Sequence, residues 1–598
     1  MKLSDYVIGY LADYGVRHIF MLTGGGAMHL NDSIAKAKRI RYICNHHEQA
    51  CAMAAEAYAR VTGKIGVVNV TSGPGGINAL NGVFGAWTDS VPMLVLSGQV
   101  KRETCMTFRN VPGLRQLGDQ EADIISMVQG ITKYAVCVGD PDSIRYHLER
   151  ALYLAQSGRP GPCWLDIPID VQSSQINVAA LAAYDASEDA AANTVQTRTE
   201  LTALCDGIIA RIKESPRPVI LAGTGIRCAG ALDIFEKVIS RLRIPVTTAW
   251  AHDVIASDHP LYCGRPGTIG ERGGNFVVQN AHTLLILGSR LNIRQVSYNW
   301  KEFAPSAFKI QVDVDPAEFD KPTVIPDMSV PCDVRVFLEE LDRRLDSVSY
   351  DADAHSNWLE WCKERMRLYP VVPARRTVDG PINPYEFVDT VFRRLTGDDV
   401  VVTANGAACI IPFQVACIKK GMRLISNSGS ASMGYDVPAA VGAAVAGDGK
   451  RVICFAGDGS IQLNIQELQT LVHHRLPVKI FVLNNGGYLS IRSTQQTFFE
   501  NFIGESPASG VSFPDMVKIA EAYGLKTMRT ECRPFASVID EALNAEGPVL
   551  CDVIVDPDQG FEPRMKSSAL PDGTIVSPRL EDMFPFLDRA ELEKNMLK

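Results

Sequence analysis

The chain has 598 residues, of which 46% are hydrophobic, and its 59 Lys and Arg against 68 Asp and Glu give a formal charge of -9. This length exceeds what one hydrophobic core normally serves, so we expect several domains. The acidic balance without a long basic run argues against nucleic acid as a partner, and no stretch reaches the roughly 18 apolar residues of a membrane span.

Fifteen cysteines are spread singly along the chain without a Cys-x-x-Cys pair. An odd number of thiols among apolar neighbours is typical of reduced core cysteines rather than of a disulfide or zinc framework. The opening stretch MKLSDYVIGYLADYG is amphipathic and lacks the basic start and small-residue cleavage site of a targeting segment. We therefore expect a cytoplasmic protein.

The predicted elements fall into three blocks in chain order. Apolar runs such as HIFML, IGVVNV and VPMLVLSG alternate with helical patterns over residues 1–175, and a linker rich in Ala, Ser and acids follows. A second block spans 198–345, a third spans 380–560, and a tail rich in proline and charge occupies 561–598. Alternating buried strands and helices predict parallel sheets covered by helices. The expected fold class is α/β, with three doubly wound parallel-sheet domains and a C-terminal tail.

Two polar turns end two apolar strands of the third block. Asp458 stands in a Gly-Asp-Gly turn after RVICFA, and Asn485 follows VKIFVLN, 27 positions later. That separation is what one strand-helix-strand crossover needs, so both turns can lie at the same edge of a parallel sheet. Carboxylate and amide oxygens suit a hard cation such as Mg²⁺, and glycines let a diphosphate approach the backbone. Each turn alone could equally be a plain tight turn.

The pair of turns at this spacing resembles the thiamine-diphosphate signature, and nearly the whole chain resembles the acetolactate synthase and pyruvate oxidase group of thiamine-diphosphate enzymes. The resemblance implies pyrimidine-binding, middle and diphosphate-binding domains in that order, with thiamine diphosphate and Mg²⁺ as cofactors. It implies that Asp458, Asn485 and the carbonyl of Gly487 hold the metal. The further cofactor contacts that it implies are Gly24, Gly25, Thr71, Pro74, Asn78, Gly406, Ala407, Met433, Gly457, Gly459, Ser460, Tyr488 and Leu489.

The resemblance gives the catalytic roles to Glu48 and Gln120. Glu48, in NHHEQACAMAAEAYAR, matches the glutamate that binds the aminopyrimidine ring and promotes loss of the thiazolium proton. By its position alone, this carboxylate could instead oppose a helix dipole. Gln120 keeps its place in the family's Phe-Gln-Glu loop, whereas Asp119 replaces the aromatic residue. In this family the glutamate and the metal site come from different subunits, which implies a homodimer, with a homotetramer as the larger alternative.

The middle block contains segments similar to the flavin-binding segments of acetolactate synthase. Two glycines after a strand are a weak nucleotide signal, and many relatives have this domain without flavin, so bound FAD is an open alternative. The contacts that the resemblance implies for FAD are Gly223, Thr224, Gly225, Arg290, Asp315 and Asp333.

The resemblance implies decarboxylation of a 2-oxo acid, with pyruvate as first candidate, and transfer of the acyl unit to a carbonyl acceptor. After its NN turn, acetolactate synthase has EQGMV and then Gln-Trp, whereas this chain has GGYLSIRSTQQTFF. Tyr488, Ser490 and Arg492 replace mainly apolar positions, and Thr494 falls near the tryptophan. A more polar pocket favours a hydroxylated or anionic acceptor.

This turn and the tail resemble synthase-like enzymes of surface-polysaccharide and branched-sugar synthesis, so a nucleotide-activated keto-sugar is one candidate acceptor. The alternatives are acetolactate synthase proper, a flavin-dependent pyruvate oxidase, and a thiamine-dependent decarboxylase or carbon-carbon hydrolase.

Overall fold

The structure is a computed structural model that describes residues 1–109, 111–189, 198–248, 250, 252–372, 380–499 and 501–597. Within these residues the chain forms three parallel sheets and one short antiparallel hairpin. The predicted fold class, α/β with three parallel-sheet domains, is confirmed.

The N-terminal domain contains a sheet of six parallel strands. These are β1 (His18–Met21), β2 (Arg41–Cys44), β3 (Gly66–Val70), β4 (Met93–Gln99), β5 (Tyr134–Cys137) and β6 (Pro162–Pro168), in the order β2-β1-β3-β4-β6-β5. Its helices are α1 (Leu3–Tyr14), α2 (Met28–Lys36), α3 (Glu48–Thr62), α4 (Pro74–Thr88), α5 (Met106–Arg109), α6 (Ile124–Val128), α7 (Ile144–Gln156) and α8 (Ile169–Ser173). Strands β3, β4 and β6 are buried along their whole length, as expected of parallel strands covered on both faces.

The middle domain contains five parallel strands in a different order. These are β7 (Pro218–Ala222), β8 (Val246–Thr248), β9 (Thr283–Leu287), β10 (Phe308–Asp313) and β11 (Met328–Pro331), in the order β11-β10-β9-β7-β8. Its helices are α9 (Arg198–Glu214), α10 (Gly225–Cys228), α11 (Leu232–Leu242), α12 (Arg272–Gln279), α13 (Ile293–Val296), α14 (Val334–Leu345) and α15 (Ser356–Leu368).

The C-terminal domain repeats the strand order of the first sheet. Its strands are β12 (Val400–Thr403), β13 (Arg423–Ile425), β14 (Val452–Gly457), β15 (Val478–Asn484), β16 (Lys526–Thr530) and β17 (Val549–Ile554), in the order β13-β12-β14-β15-β17-β16. Its helices are α16 (Pro384–Arg394), α17 (Ala407–Val415), α18 (Asp436–Ala446), α19 (Glu467–His473), α20 (Leu489–Phe498), α21 (Met516–Tyr523) and α22 (Ala536–Asn544).

Helix α3 joins the N-terminal and C-terminal domains, because it packs between α4 and α18. A Cβ at Gly82 of α4 would lie 2.5 Å from the Cβ of Ala52, and one at Gly442 of α18 would lie 2.0 Å from the carbonyl oxygen of Ala54. The three helices can therefore approach only where their residues are small. The fully buried alanines of α3 are Ala50, Ala52, Ala54, Ala55 and Ala57.

The tail contains the hairpin β18 (Ser568–Ala569) and β19 (Ile575–Val576) and the helix α23 (Arg589–Lys594), and it crosses back to the middle domain. Asn275 of α12 donates a 2.8 Å hydrogen bond to the carbonyl of Leu580, and Gln279 donates one of 2.7 Å to Glu581. All of α12 is buried. Among the residues that the structure describes, none of the helices has both the length and the apolar character needed to cross a membrane.

Candidate active site

Three neighbouring strands of the C-terminal sheet, β12, β14 and β15, end at one edge. Gly406 and Ala407 follow β12, Asp458 follows β14, and Asn485 follows β15. Since parallel strands point the same way, these residues share the edge at which α/β folds bind ligands. The structure thus brings together the residues predicted for the metal and the diphosphate.

Asp458 connects the two polar turns. Its Oδ1 accepts a 2.9 Å hydrogen bond from the amide of Gly459, and its Oδ2 accepts one of 3.0 Å from the amide of Gly487. The side chain is 2% exposed, and this burial raises the pKa of the carboxyl to about 6 although the amide donors act in the opposite direction. A nearby cation would favour the ionised form.

Asn485 presents a buried oxygen that nothing in the chain satisfies. Its Oδ1 has no hydrogen-bond partner among the described residues. The neighbouring Asn484 differs, because its Nδ2 donates a 3.0 Å hydrogen bond to Asp552 and so supports the strand end. An unpaired buried amide oxygen is costly unless a ligand satisfies it. A carboxylate and a free amide oxygen on adjoining turns therefore fit Mg²⁺.

Tyr488 covers the Gly-Asp-Gly turn. A Cβ at Gly459 would lie 2.1 Å from a ring carbon of Tyr488, and that ring meets Phe513 edge-on at 5.3 Å. Ser460 Oγ accepts a 2.9 Å hydrogen bond from the amide of Gly434, next to the half-buried Met433. The turn is therefore packed from two sides.

Glu48 is the first residue of α3 and is 8% exposed. Asn78 Nδ2 donates a 3.0 Å hydrogen bond to Glu48 Oε2, and a Cβ at Gly75 would lie 3.5 Å from Glu48 Oε1. The turn at the start of α4, which begins with Pro74, thus lies beside this carboxylate. Because Asn78 holds one carboxylate oxygen, it orients Glu48.

The turn between β3 and α4 also contacts the segment after β1. Thr71 Oγ1 accepts a 3.0 Å hydrogen bond from the amide of Gly26. A Cβ at Gly24 would lie 2.4 Å from the Cβ of Thr71, whereas one at Gly25 would meet nothing within 4 Å. Gly24 is therefore needed for packing, and Gly25 is exposed at the surface.

The loop that contains Gln120 docks through its backbone. Gln120 adopts a left-handed φ of 60° with an exposed side chain, and a Cβ at Gly73 would lie 2.0 Å from its carbonyl oxygen. Glu121 accepts hydrogen bonds from the amides of Leu117 (3.1 Å) and Gly118 (2.9 Å). The loop therefore closes on itself, and the Gln120 side chain contributes no packing to it.

A buried acid beneath this loop was missed by the sequence reasoning. Asp166 is 1% exposed and accepts hydrogen bonds from Ser97 Oγ (2.5 Å) and Gln99 Nε2 (2.9 Å). Gln99 Nε2 also donates a 3.0 Å hydrogen bond to the carbonyl of Ala122. Burial raises the pKa of Asp166 to about 7. The only signal in the sequence was one acid inside the apolar run PCWLDIP.

Arg492, one of the polar residues that follow the NN turn, makes contacts within the chain. Its Nε lies 2.7 Å from Glu505 Oε2, and its Nη1 donates a 3.2 Å hydrogen bond to the carbonyl of Pro557. The guanidinium therefore connects α20 to the segments that contain Glu505 and Pro557. Ser490 differs, because its buried Oγ has no partner among the described residues and lies 3.3 Å from where a Cβ at Gly406 would stand. Thr494 is exposed.

The residues predicted for FAD surround a cavity of about 510 Å³ at the middle domain. Gly223, Thr224, Gly225, Arg290 and Asp333 line it. Asp315 lines a neighbouring cavity of about 480 Å³, and it forms a 2.9 Å ion pair with Arg159, which borders both.

Ion pairs from all three domains form the wall of the larger cavity. Asp253 meets Arg423 at 2.7 Å and Arg227 at 3.0 Å. Burial alone would raise the pKa of Asp253, but the two guanidinium groups hold it at about 2. Arg60 pairs with Asp89 at 2.7 Å. The cavity therefore lies where the domains meet, as ligand cavities commonly do.

Comparison with known proteins agrees with this geometry. The models of the thiamine pyrophosphate enzyme match in three parts: the N-terminal TPP binding domain at residues 1–127, the central domain at 205–341 and the C-terminal TPP binding domain at 405–553. The acetolactate synthase large subunit of Lactococcus lactis is 31% identical over 579 residues, which cover 96% of each chain.

Two further relatives are acetolactate synthases. Acetolactate synthase 2, chloroplastic, of Zea mays is 31% identical and covers 95% of this chain and 87% of its own. The acetolactate synthase isozyme 1 large subunit of Escherichia coli is 28% identical, over 95% and 96% of the two chains.

The chain therefore belongs to the thiamine pyrophosphate enzymes, within the acetolactate synthase group. It is a carboligase or transferase that depends on thiamine pyrophosphate, also called thiamine diphosphate. The predicted family and enzyme class are thus confirmed.

Proposed function

We propose that the chain binds thiamine diphosphate with Mg²⁺ at Asp458 and Asn485 and joins the acyl unit of pyruvate, a 2-oxo acid, to a carbonyl acceptor. The observation that carries this proposal is the unpaired, buried Oδ1 of Asn485 beside the buried carboxylate of Asp458. These two oxygens and the carbonyl of Gly487 would hold the cation, and the turn from Gly457 to Ser460 would face the diphosphate.

The residues of the chain divide the work between anchoring and proton transfer. When bound, the cofactor supplies the nucleophilic carbon and the electron sink for decarboxylation. Glu48 would exchange a proton with the aminopyrimidine ring, and Asn78 keeps its carboxylate in one orientation. Because Glu48 is almost buried, bulk water does not compete for that proton.

We further propose a homodimer or homotetramer in which each site takes Glu48 from one subunit and Asp458 from the other. Mixing Glu48→Gln and Asp458→Asn chains tests this arrangement. Each heterodimer would hold one intact site, so random exchange of subunits should restore about a quarter of wild-type activity from two inactive proteins. If each chain built its own site, the mixture would stay inactive.

The acceptor that we propose is a nucleotide-activated keto-sugar. Ser490 supports this, because its unpaired Oγ offers a hydrogen bond where the EQGMV segment of acetolactate synthase has valine. Ser490→Val should lower turnover with hydroxylated acceptors and raise the share of acetolactate formed from pyruvate alone. The matched control is Gln496→Ala, an exposed position of the same helix α20. Equal acceptor preference in both variants would remove Ser490 from acceptor recognition.

The decisive test of the reaction gives the purified protein thiamine diphosphate, Mg²⁺ and ¹³C-labelled pyruvate, with a panel of aldehydes, ketones and nucleotide keto-sugars. Mass spectrometry should detect labelled CO₂ and a ligated product with a keto-sugar. Acetolactate as sole product would indicate acetolactate synthase proper. CO₂ with free aldehyde or acid would indicate a decarboxylase, oxidase or hydrolase and would contradict ligation.

We propose FAD as the occupant of the cavity bordered by Gly223, Gly225 and Arg290. Gly223, Thr224 and Gly225 after β7 line the cavity with little side-chain bulk, and the surrounding arginines suit a diphosphate. Absorbance near 450 nm in the purified protein, with FAD identified by chromatography after denaturation, tests this assignment. Bleaching of that absorbance by pyruvate would indicate a redox role; unchanged absorbance during turnover would indicate a structural one.

A further inference from the structure

Glu467 is a fully buried acid that stands outside the site described above. It is the first residue of α19 and is 0% exposed. Its Oε2 accepts hydrogen bonds from Asn45 Nδ2 (2.8 Å) and Thr470 Oγ1 (2.7 Å), and its Oε1 accepts one from the amide of His46 (2.8 Å). A buried carboxylate is tolerated only with such donors. Two of these three donors come from the N-terminal domain.

Both ends of this contact lie close in sequence to candidate cofactor residues. Asn45 and His46 directly precede His47, the N-cap of the helix that begins with Glu48. On the other side, positions 458 and 467 are nine residues apart, joined by the 3₁₀ helix Ser460–Asn464. The contact therefore links the segment that precedes α3 to the segment that follows the metal turn.

The segment between the metal turn and Glu467 is itself held firmly. Ser460 Oγ accepts a hydrogen bond from the amide of Gly434 (2.9 Å), and Asn464 Nδ2 donates one of 2.8 Å to the carbonyl of the same residue. The segment that precedes Glu467 is therefore fixed to Gly434 by two hydrogen bonds. A rigid support is what a group needs to fix the position of another.

We propose that Glu467 is a positioning residue for Glu48. Its carboxylate holds the side chain of Asn45 and the backbone amide of His46, and this fixes the direction in which the first residue of α3 presents its side chain. The inference rests on the proposed function, because it concerns the proton that Glu48 exchanges with the aminopyrimidine ring. Glu467 does not touch the cofactor; it acts through the turn that it holds.

The test compares Glu467→Ala with Glu467→Gln. A glutamine keeps an oxygen for the amide of His46, and its NH₂ group can donate to Asn45 Oδ1, which has no partner among the described residues, once that amide rotates. Glu467→Gln therefore preserves the contact without its charge, whereas Glu467→Ala removes it. The matched control is Thr470→Val, which removes a donor to the same carboxylate but leaves the turn alone.

Two measurements on protein loaded with thiamine diphosphate and Mg²⁺ are informative: cofactor affinity from the tryptophan fluorescence, and the rate at which the thiazolium C2 proton exchanges with deuterium, followed by NMR after acid quench. In Glu467→Ala the exchange should slow by about tenfold or more, since small misplacements of a reacting group are costly. Cofactor affinity should change by less than about threefold, because Glu467 makes no anchoring contact. Glu467→Gln and Thr470→Val should exchange at close to the wild-type rate.

Other outcomes would overturn the proposal. Wild-type exchange in Glu467→Ala, with only a lower melting temperature, would show a purely structural role. Equally slow exchange in Glu467→Gln would show that the charge matters rather than the position. If Glu467→Ala fails to fold, Asn45→Ala removes the side-chain hydrogen bond to Glu467 while that of the His46 amide stays, and it should slow exchange in the same sense by a smaller factor. Absence of exchange in the wild type would instead contradict the proposed function itself.

Discussion

The first and third domains share one strand order but place their acids in different loops. In the C-terminal domain the third strand, β14, leads into the turn with Asp458, whereas in the N-terminal domain the third strand, β3, leads into a turn of Thr, Ser and glycines that has no acid. The acid of that domain is Glu48, which follows the second strand. One framework can therefore serve metal binding or proton transfer, depending on which loop contains the carboxylate.

The largest expected effect is on the C-terminal side of this comparison. Asp458→Asn removes the carboxylate of the proposed cation site. It also places a side-chain NH₂ group opposite one of the two backbone amides, of Gly459 and Gly487, that donate to Asp458. Mg²⁺-dependent binding of thiamine diphosphate should weaken by at least about a hundredfold. Calorimetric titration with and without Mg²⁺ measures this, and unchanged affinity would remove Asp458 from the metal site.

The same substitution of acid by amide on the N-terminal side should separate binding from chemistry. Glu48→Gln keeps a side chain that can still accept from Asn78, so cofactor affinity should stay within about tenfold of wild type. CO₂ release from pyruvate should fall by about a hundredfold or more, because the proton acceptor is lost. A Glu48→Gln protein with wild-type turnover would contradict the assignment of proton transfer to the N-terminal domain.

A glycine in each of the two equivalent turns should show a smaller contrast. Gly73→Ala places a Cβ against the Gln120 carbonyl at a φ of 58°, so we expect a loss of about 1–3 kcal/mol of stability. In Gly459→Ala the three heavy atoms nearest to the added Cβ belong to the ring of Tyr488, a side chain that can rotate; cofactor affinity should fall while the melting temperature changes little.

The control for Gly73→Ala is Gly510→Ala, which has a φ of 106° but no heavy atom within 4 Å of the added Cβ. If both variants lose the same stability, backbone conformation alone explains the effect and the close approach of Gln120 contributes nothing.

The last prediction concerns pH and the buried Asp166 of the N-terminal domain. Its pKa is raised to about 7, so between pH about 4 and 7 the folded state holds a proton that the unfolded state has lost. The stability that protonated Asp166 contributes is therefore fully present below pH 4. As the pH rises to 7, the free energy of unfolding falls by up to about 1.4 kcal/mol per pH unit. Asp166→Asn does not titrate.

Thermal unfolding of wild type and Asp166→Asn at pH 5, 6, 7 and 8 checks this prediction. The melting temperature of the wild type should fall relative to that of the variant up to pH 7 and run parallel above it. A constant difference across the series would mean that Asp166 is ionised in the folded protein at every pH tested.

Much of the fold could be predicted because buried parallel strands leave a local trace. The run RVICFA is apolar along its whole length, since both faces of β14 are covered, and the turn that follows ends it visibly. The pairing of Asp458 with Asn485 was predictable for a similar reason: one crossover separates them, and the crossover rule fixes their relation.

The rest of the site depends on contacts between segments that are distant in sequence. Asn78 reaches Glu48 from another helix, Arg492 is occupied by Glu505, and Glu467 meets Asn45 across a domain boundary. No periodicity or spacing encodes these pairs, because each depends on how loops and domains pack in three dimensions. The sequence predicts a polar pocket from Arg492, but it does not show that the guanidinium pairs with Glu505.

The alanines buried on α3 affect how substitutions in this helix will be interpreted. The Cβ of Ala52 lies against α4 and both Ala52 and Ala54 are fully buried, so a mutational scan should reject larger residues there as strongly as it rejects changes at Glu48. Loss of activity on substitution along α3 would therefore reflect the close packing of α3, α4 and α18 as well as the chemistry of Glu48. Only the Glu48 variants should remain folded while inactive.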